Sequence, residues 1–513
     1  MKKIIALGLL ILAFAATSYA QAPKLDFGAS GFIDAITEYW RTAASNSGGG
    51  IYDVVPAAFK PYGQVGSTTT GYAFNKKNAY METRMRLKFD AKMGKELSGT
   101  IFFEADASRW GDLSPSGAQR NYMGYWSGDR AALEMKNVYF DASLPYMGIP
   151  VPIQLRVGLQ PFSVRPNLLI YTDGMGVQPS IKIDPATITL YWYKAVEGAD
   201  YKSDDADVYG AQVSAKIDTF TVGGYWIKYN MNSYPFNQVP GAPDPNNAPF
   251  QDTKYAANIW WLGVYLDGKM GPVNLNFDFI YDRGKVEARD TYFPTPVPDV
   301  KYRGWVGYLK IDYPYDMFNF GAVVSYASGA DKKDTSSSGL PGSLTAWGQK
   351  SDKVTSFVQP PGSEAGAIFG ESLVFYSSWV NRGNTGIANT NNYNQVSRGA
   401  MGGTWMAKAY ASYKATPWYK ITLAGLYIGD TTKNGDTFGT SWNATRTGYK
   451  NNSTIGWEFD LYNEFQIYKN LKWTAAGGLM FAKDGFKFYD PIFDRNRKPS
   501  NPWIITTNLT YNF

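Results

Sequence analysis

The sequence predicts an all-β fold, a transmembrane antiparallel β-barrel of about eighteen strands, on three observations. Apolar and polar residues alternate with a two-residue period in segment after segment from residue 25 onward, which in a strand sets one face against an apolar medium and the other against water. The connections between these segments alternate short and long, as periplasmic turns and extracellular loops do. Beyond the first twenty residues no window has the apolar run of a spanning helix, and a chain that crosses lipid without helices must satisfy its backbone as a closed barrel.

Residues 1–20 read as a secretory signal. Lys2 and Lys3 give the basic start, Ile4 to Thr17 the apolar stretch and Ser18-Tyr19-Ala20 the small-x-small cleavage site, so Gln21 is the expected mature N-terminus and 21–513 a single barrel. The first strand is expected over 25–41, with Leu25, Phe27, Ala29, Gly31 and Ile33 opposite Asp26, Ser30 and Asp34. In the second, 78–93, Met81, Thr83, Met85, Leu87 and Phe89 face one way, and Glu82, Arg84, Arg86, Lys88, Asp90 and Lys92 the other. That many charges on one face would be costly to desolvate in a protein core but can line water. Further strands are expected at 97–108, 133–144, 151–162, 176–184, 187–197, 207–218, 219–230, 257–268, 272–283, 302–313, 316–329, 401–415, 418–429, 454–467, 471–484 and 501–513. Eighteen is even, which returns both ends of the barrel to the periplasm; sixteen strands follow instead if 165–184 is an inward-folded loop rather than wall.

The short connections, among them Gly94-Lys95-Glu96, Asp184-Pro185-Ala186, Asp218-Thr219, Gly271-Pro272, Pro314-Tyr315 and Pro417-Trp418, have the Gly, Pro and Asp content of tight turns. The long ones are 42–77, 109–132, 231–256, 284–301, 330–400, 430–453 and 485–500. The longest, 330–400, opens Asp331-Lys332-Lys333-Asp334 and contains the apolar patch Leu373-Val374-Phe375-Tyr376. It is expected either to serve as a lid or inter-subunit latch or to pack on its own barrel rim. In the last strand Trp503, Leu509, Tyr511 and Phe513 share the apolar face, and they resemble the closing-strand signal read by the barrel-assembly machinery.

Composition removes whole chemistries. The chain has no Cys and no His, hence no disulfide, thiolate nucleophile, iron–sulfur cluster, attached haem or histidine base. No catalytic, cofactor or metal site is expected, and the chain is not read as an enzyme. Net charge is +6, of which the two signal lysines carry two, and no basic run is dense enough for nucleic acid. Aromatics make up 16% of residues, an excess that suits girdles at two membrane interfaces.

Strand number sets the interior. Sixteen to eighteen strands leave an aqueous channel, so a wall with polar inward positions passes small hydrophilic solutes unless it is plugged. Segment 161–178 is the candidate constriction loop, with Arg165 and Asp173 as charges of opposite sign and glycines for a tight return. Arg84, Arg86, Lys88 and Arg156, with Lys136, face Glu104 and Asp106 as candidate pore-lining charges. Such an array makes a transverse field favouring dipolar solutes, and the excess of Arg and Lys points to anions and small organic acids; the alternative is that these groups pair to keep the wall neutral.

Residues 78–220 resemble the outer-membrane homotrimeric porins of sulfate-reducing and related bacteria. The resemblance rests on Arg84-Met85-Arg86-Leu87-Lys88-Phe89-Asp90-Ala91, Leu97-Ser98-Gly99-Thr100-Ile101-Phe102-Phe103-Glu104, Trp110-Gly111-Asp112, Lys136-Asn137-Val138-Tyr139-Phe140-Asp141 and Leu155-Arg156-Val157-Gly158-Leu159-Gln160. Where that family has a run of acids before a small residue and glycine, this chain has Asp173-Gly174-Met175-Gly176, with one acid. The resemblance implies a homotrimer in the bacterial outer membrane and passive transport of small polar solutes. Two other functions are kept beside it, a structural sheath around a multihaem cytochrome and a surface adhesin acting through 330–400.

Overall fold

The computed structural model describes residues 25–41, 77–111, 122–124, 131, 133–144, 151, 153–197, 203, 205–232, 255–288, 299–331, 353–365, 369–376, 400–439, 441–490 and 494–513. The signal segment and the proposed cleavage site lie outside them, as does most of 42–77, 109–132, 231–256 and 330–400.

Eighteen strands form the wall: β1 (Leu25–Arg41), β2 (Lys77–Met93), β3 (Leu97–Trp110), β4 (Glu134–Leu144), β5 (Ile153–Val164), β6 (Ile170–Ile183), β7 (Ala186–Val196), β8 (Ala206–Ile217), β9 (Phe220–Met231), β10 (Tyr255–Met270), β11 (Val273–Ala288), β12 (Trp305–Tyr315), β13 (Phe318–Ala327), β14 (Thr404–Thr416), β15 (Tyr419–Asp430), β16 (Thr454–Tyr468), β17 (Leu471–Ala482) and β18 (Trp503–Asn512). Each pairs antiparallel with its neighbour in sequence, and β1 pairs with β18 from Phe32↔Asn512 to Arg41↔Trp503, so the sheet closes on itself without an edge. All eighteen expected strands are present, and the sixteen-strand alternative is excluded because β6 pairs with both β5 and β7.

Alternation decides what each strand shows to either side. Phe277, Phe279, Val324, Leu423, Leu461, Leu479 and Ile505 stand exposed on the outer surface. Trp305, Tyr326, Trp457 and Trp503 lie towards one end of these strands, and Tyr313, Tyr315, Tyr468, Trp473 and Tyr511 towards the other. An apolar band between two aromatic girdles is the exterior of an outer-membrane barrel, and far more contiguous apolar surface than a water-soluble monomer carries.

Closure depends on one small residue. Gly31 and Phe513 exchange both backbone hydrogen bonds, at 2.9 and 3.0 Å, and the Phe513 ring lies over Gly31. A Cβ at Gly31 would sit 2.2 Å from the Arg86 carbonyl oxygen.

At the rim bearing turns 94–96, 184–185, 271–272 and 469–470 the wall is a plain meander. At the opposite rim two segments turn inward. One is the end of the β5–β6 hairpin. The β4–β5 ladder reaches only Leu159 and the β6–β7 ladder only Met175, while β5 and β6 go on pairing with each other to Val164↔Ile170. The expected constriction loop 161–178 is therefore corrected to a regular hairpin with its turn at 165–169. The strands extend further because both flanks keep an unbroken backbone ladder with each other after leaving the wall. The other segment is 353–376, entered through Lys353–Val354, which runs parallel to Val300–Tyr302 beside the β11 end. Leu168, Leu169 and Ile170 of the hairpin and Phe357, Val358, Leu373, Val374 and Phe375 of the segment are buried with inward Ile227, Ile259, Trp261 and Val306 of the wall in one apolar cluster.

Candidate functional site: the lumen

Two glycines let the hairpin leave the wall. A Cβ at Gly176 would meet the Tyr193 ring at 2.5 Å and one at Gly174 the same ring at 3.1 Å, so Tyr193 lies flat where side chains would otherwise stand. Phe162 of β5 then stacks on Tyr193, with ring centroids 4.2 Å apart. At the turn, Arg165 has φ +46 and reaches across to β10 and β11. Its guanidinium bonds Asp267 at 2.6 and 3.1 Å and Asp278 at 2.6 Å, and lies 4.5 Å above the Tyr265 ring. Burial alone would lower the Arg165 pKa, but its bonds to Asp267 and Asp278 and their charges outweigh that and hold it above the ordinary guanidinium value. The two charges of segment 161–178 thus do not pair with each other. Arg165 goes across the lumen, and Asp173 joins β4.

On β2 to β6 the predicted charges assemble into one cluster. Glu104, whose side chain is 3% exposed, accepts Arg86 at 2.6 Å, Arg84 at 3.2 Å and Lys136 at 3.0 Å. Lys136 also holds Asp173 at 2.8 Å, and Asn137 donates to Asp173 at 2.7 Å. Both Lys136 and Asn137 act on the same side because the β3–β4 register shifts between Phe102 and Phe103, a bulge that re-aims a side chain. Lys88 stands apart with Asp90 at 3.0 Å, and Arg156 with Asp141 at 2.6 and 3.1 Å over the Tyr139 ring. Asp106 is in β3, and its side chain lies outside the described residues. Trp503 meets Tyr39 edge-on at 5.0 Å, and Leu509, Tyr511 and Phe513 are exposed on the outer surface.

Sequence reasoning missed what holds the second inward segment. The fully buried Glu458 carboxylate of β16 accepts the backbone N–H of Val374 at 2.6 Å, that of Phe375 at 2.9 Å and the Ser372 hydroxyl at 3.0 Å. Asp282 of β11, equally buried, accepts the N–H groups of Gly304 at 2.8 Å and Val358 at 3.2 Å. Trp261 donates to the Val358 carbonyl at 2.8 Å. The two inward segments also hold each other: Gln359 and Ser363 each donate at 2.7 Å, to the carbonyls of Leu168 and Leu169 respectively. The only sequence signal was the inward polarity of Glu458 and Asp460, which marks a lumenal face without naming its partner.

Below these segments, in the short-turn half of the lumen, is a polar cavity of about 780 Å³ roofed by Arg165–Asn167 and Phe369–Glu371. No group of three or more metal-ligating side chains occurs among the described residues.

No protein-family model and no curated sequence matches the chain. Among solved structures it is similar to Pseudomonas aeruginosa OccK8 (OprE), at 11% identity and a TM-score of 0.47, over 94% of this chain and 98% of that one. It is similar to P. aeruginosa OpdQ at 11% and 0.46, over 94% and 97%. Acinetobacter baumannii OccAB3 follows at 9% and 0.45, over 94% and 99%.

Proposed function

We propose that this protein is a porin of the bacterial outer membrane through which small hydrophilic solutes diffuse passively, with a modest preference for anions and small organic acids. The observation that carries the reading is a closed wall, apolar outside, whose inner face gathers Arg84, Arg86 and Lys136 around the carboxylates Glu104 and Asp173. Most of the charge is neutralised by pairing, so the field is strong only locally and the preference is correspondingly mild. The hairpin tip and segment 353–376 narrow the passage and set a size limit. Assembly as a homotrimer, with Trp503, Leu509, Tyr511 and Phe513 read by the assembly machinery, belongs to the same proposal on the strength of the sequence resemblance.

Reconstitution of the purified barrel into planar bilayers tests it. Ohmic steps in KCl are expected, closing in linked threes if the trimer is right. A correctly folded preparation that carries no current refutes the porin reading.

A further inference from the structure

We propose a second solute subsite in the short-turn half of the lumen, centred on Lys310 of β12, that takes a compact hydroxylated carboxylate of the sugar-acid class. The inference rests on the porin reading and adds to it a site across the barrel from the arginine cluster, since β12 lies on the far side of the wall from β2 to β4.

The charges lining the cavity give the first reason. Arg165 is taken by Asp267, Lys408 by Glu371 at 3.0 Å, and Lys420 by Glu464. Lys310 has no carboxylate partner among the described residues; its ammonium lies 5.8 Å from the centre of the Tyr410 ring. Lys310 and Asp312 are the two lining charges without an ionic partner among the described residues, so in this chamber roofed by the two inward segments the ammonium offers a place for one negative charge and not two. A second carboxylate on the solute would meet Asp312 and Glu371.

The neutral groups give the second reason. Asp312, two residues from Lys310 on the same face and so roughly 6.6 Å away along the strand, accepts the Tyr410 hydroxyl and Asn319 Nδ2 and keeps lone pairs to spare. Ser412 and Thr422 share a 2.8 Å hydrogen bond beside it. Ammonium, carboxylate, amide and hydroxyls thus converge within a space of about 780 Å³, which holds a monosaccharide-sized molecule with water to spare. A charge-assisted bond to Lys310 fixes the carboxylate, and the remaining donors and acceptors pair with hydroxyls. A neutral sugar lacks the first interaction and a plain alkyl acid lacks the second.

The test is current blocking in planar bilayers with gluconate, glucose or acetate added to one side. Wild type is expected to show resolved blocks with gluconate and none with glucose or acetate. Lys310→Met is expected to shorten the gluconate dwell time about tenfold, equivalent to about 1.4 kcal/mol, in a channel that still conducts KCl. Lys310→Gln, which keeps a donor but no charge, should fall between, and Arg84→Gln should leave the dwell unchanged. A conducting channel whose gluconate blocks are absent, match those of acetate, or are indifferent to both Lys310 variants overturns the subsite alone. A folded wild type without conductance overturns the porin reading beneath it.

Discussion

Replacing Arg84 and Arg86 together by glutamine tests whether the β2–β4 cluster sets ion selectivity. Glutamine keeps an N–H donor for Glu104, so the change removes charge without leaving that buried carboxylate unbonded. The cluster loses two of its three cations, leaving Lys136, while Glu104 and Asp173 stay. An ion passing at ~6 Å feels about 0.7 kcal/mol from one charge in water, which screening at ~0.1 M salt roughly halves. Two charges removed then cost an anion about 0.7 kcal/mol and favour a cation by as much, so the anion-to-cation ratio falls about tenfold. Across a tenfold KCl gradient, where full selectivity gives about 59 mV, the reversal potential should move by about 40 mV towards the cation side. Far-UV circular dichroism and heat-dependent gel mobility should match wild type, showing that the wall is intact. A shift below ~5 mV with an intact wall refutes the reasoning, because it would mean that permeating ions pass well beyond a Debye length from the cluster.

Glu458→Ala orphans the Ser372, Val374 and Phe375 donors at roughly 1–3 kcal/mol each; segment 372–376 should become open to protease and the open-channel current noisier, with Glu458→Gln intermediate. Arg165→Met releases the hairpin tip from Asp267 and leaves buried Asp278 unpaired, a change on the order of 3–5 kcal/mol while the tip stays inserted. Unitary conductance should rise, and adding Asp278→Asn should restore part of the wild-type value. Gly31→Val places a Cβ against the Arg86 carbonyl and the Phe513 ring, and the heat-modifiable compact form on a gel should be lost.

The wall was legible because its signal is local. Met81 to Phe89 against Glu82 to Asp90 is a pattern that needs no partner to be read, and each of the eighteen strands has its own version. The inward hairpin was legible only as a place. Pro161 and the glycines at 174 and 176 interrupt the alternation, which marks a departure from the wall but conceals the ladder continuing to Val164↔Ile170. Contacts made across the lumen left no trace: Arg165 finds Asp267 and Asp278 more than a hundred residues later, and nothing near any of the three announces it. The β3–β4 bulge that turns both Lys136 and Asn137 onto Asp173 was equally silent, because a one-residue register shift changes pairing without changing composition.

Holding the inserts by carboxylates rather than by the sheet has a mechanical consequence. Asp282 and Glu458 stand on β11 and β16 and grip the same segment at Val358 and at 372–375, so it is clamped at two separated places on the wall. The hairpin adds a third grip through Arg165 on β10 and β11. None of these bonds belongs to the inter-strand ladders that close the barrel. A clamp can therefore fail while every ladder survives: the freed N–H and hydroxyl donors of 372–375 meet lumenal water, and the cost falls on insertion and not on the wall. Conductance and protease sensitivity should then change in Glu458→Ala while the thermal transition of the β-sheet signal stays at the wild-type temperature. If that transition drops together with the conductance change, the inserts are part of what holds the wall closed, and passage and wall are a single cooperative unit.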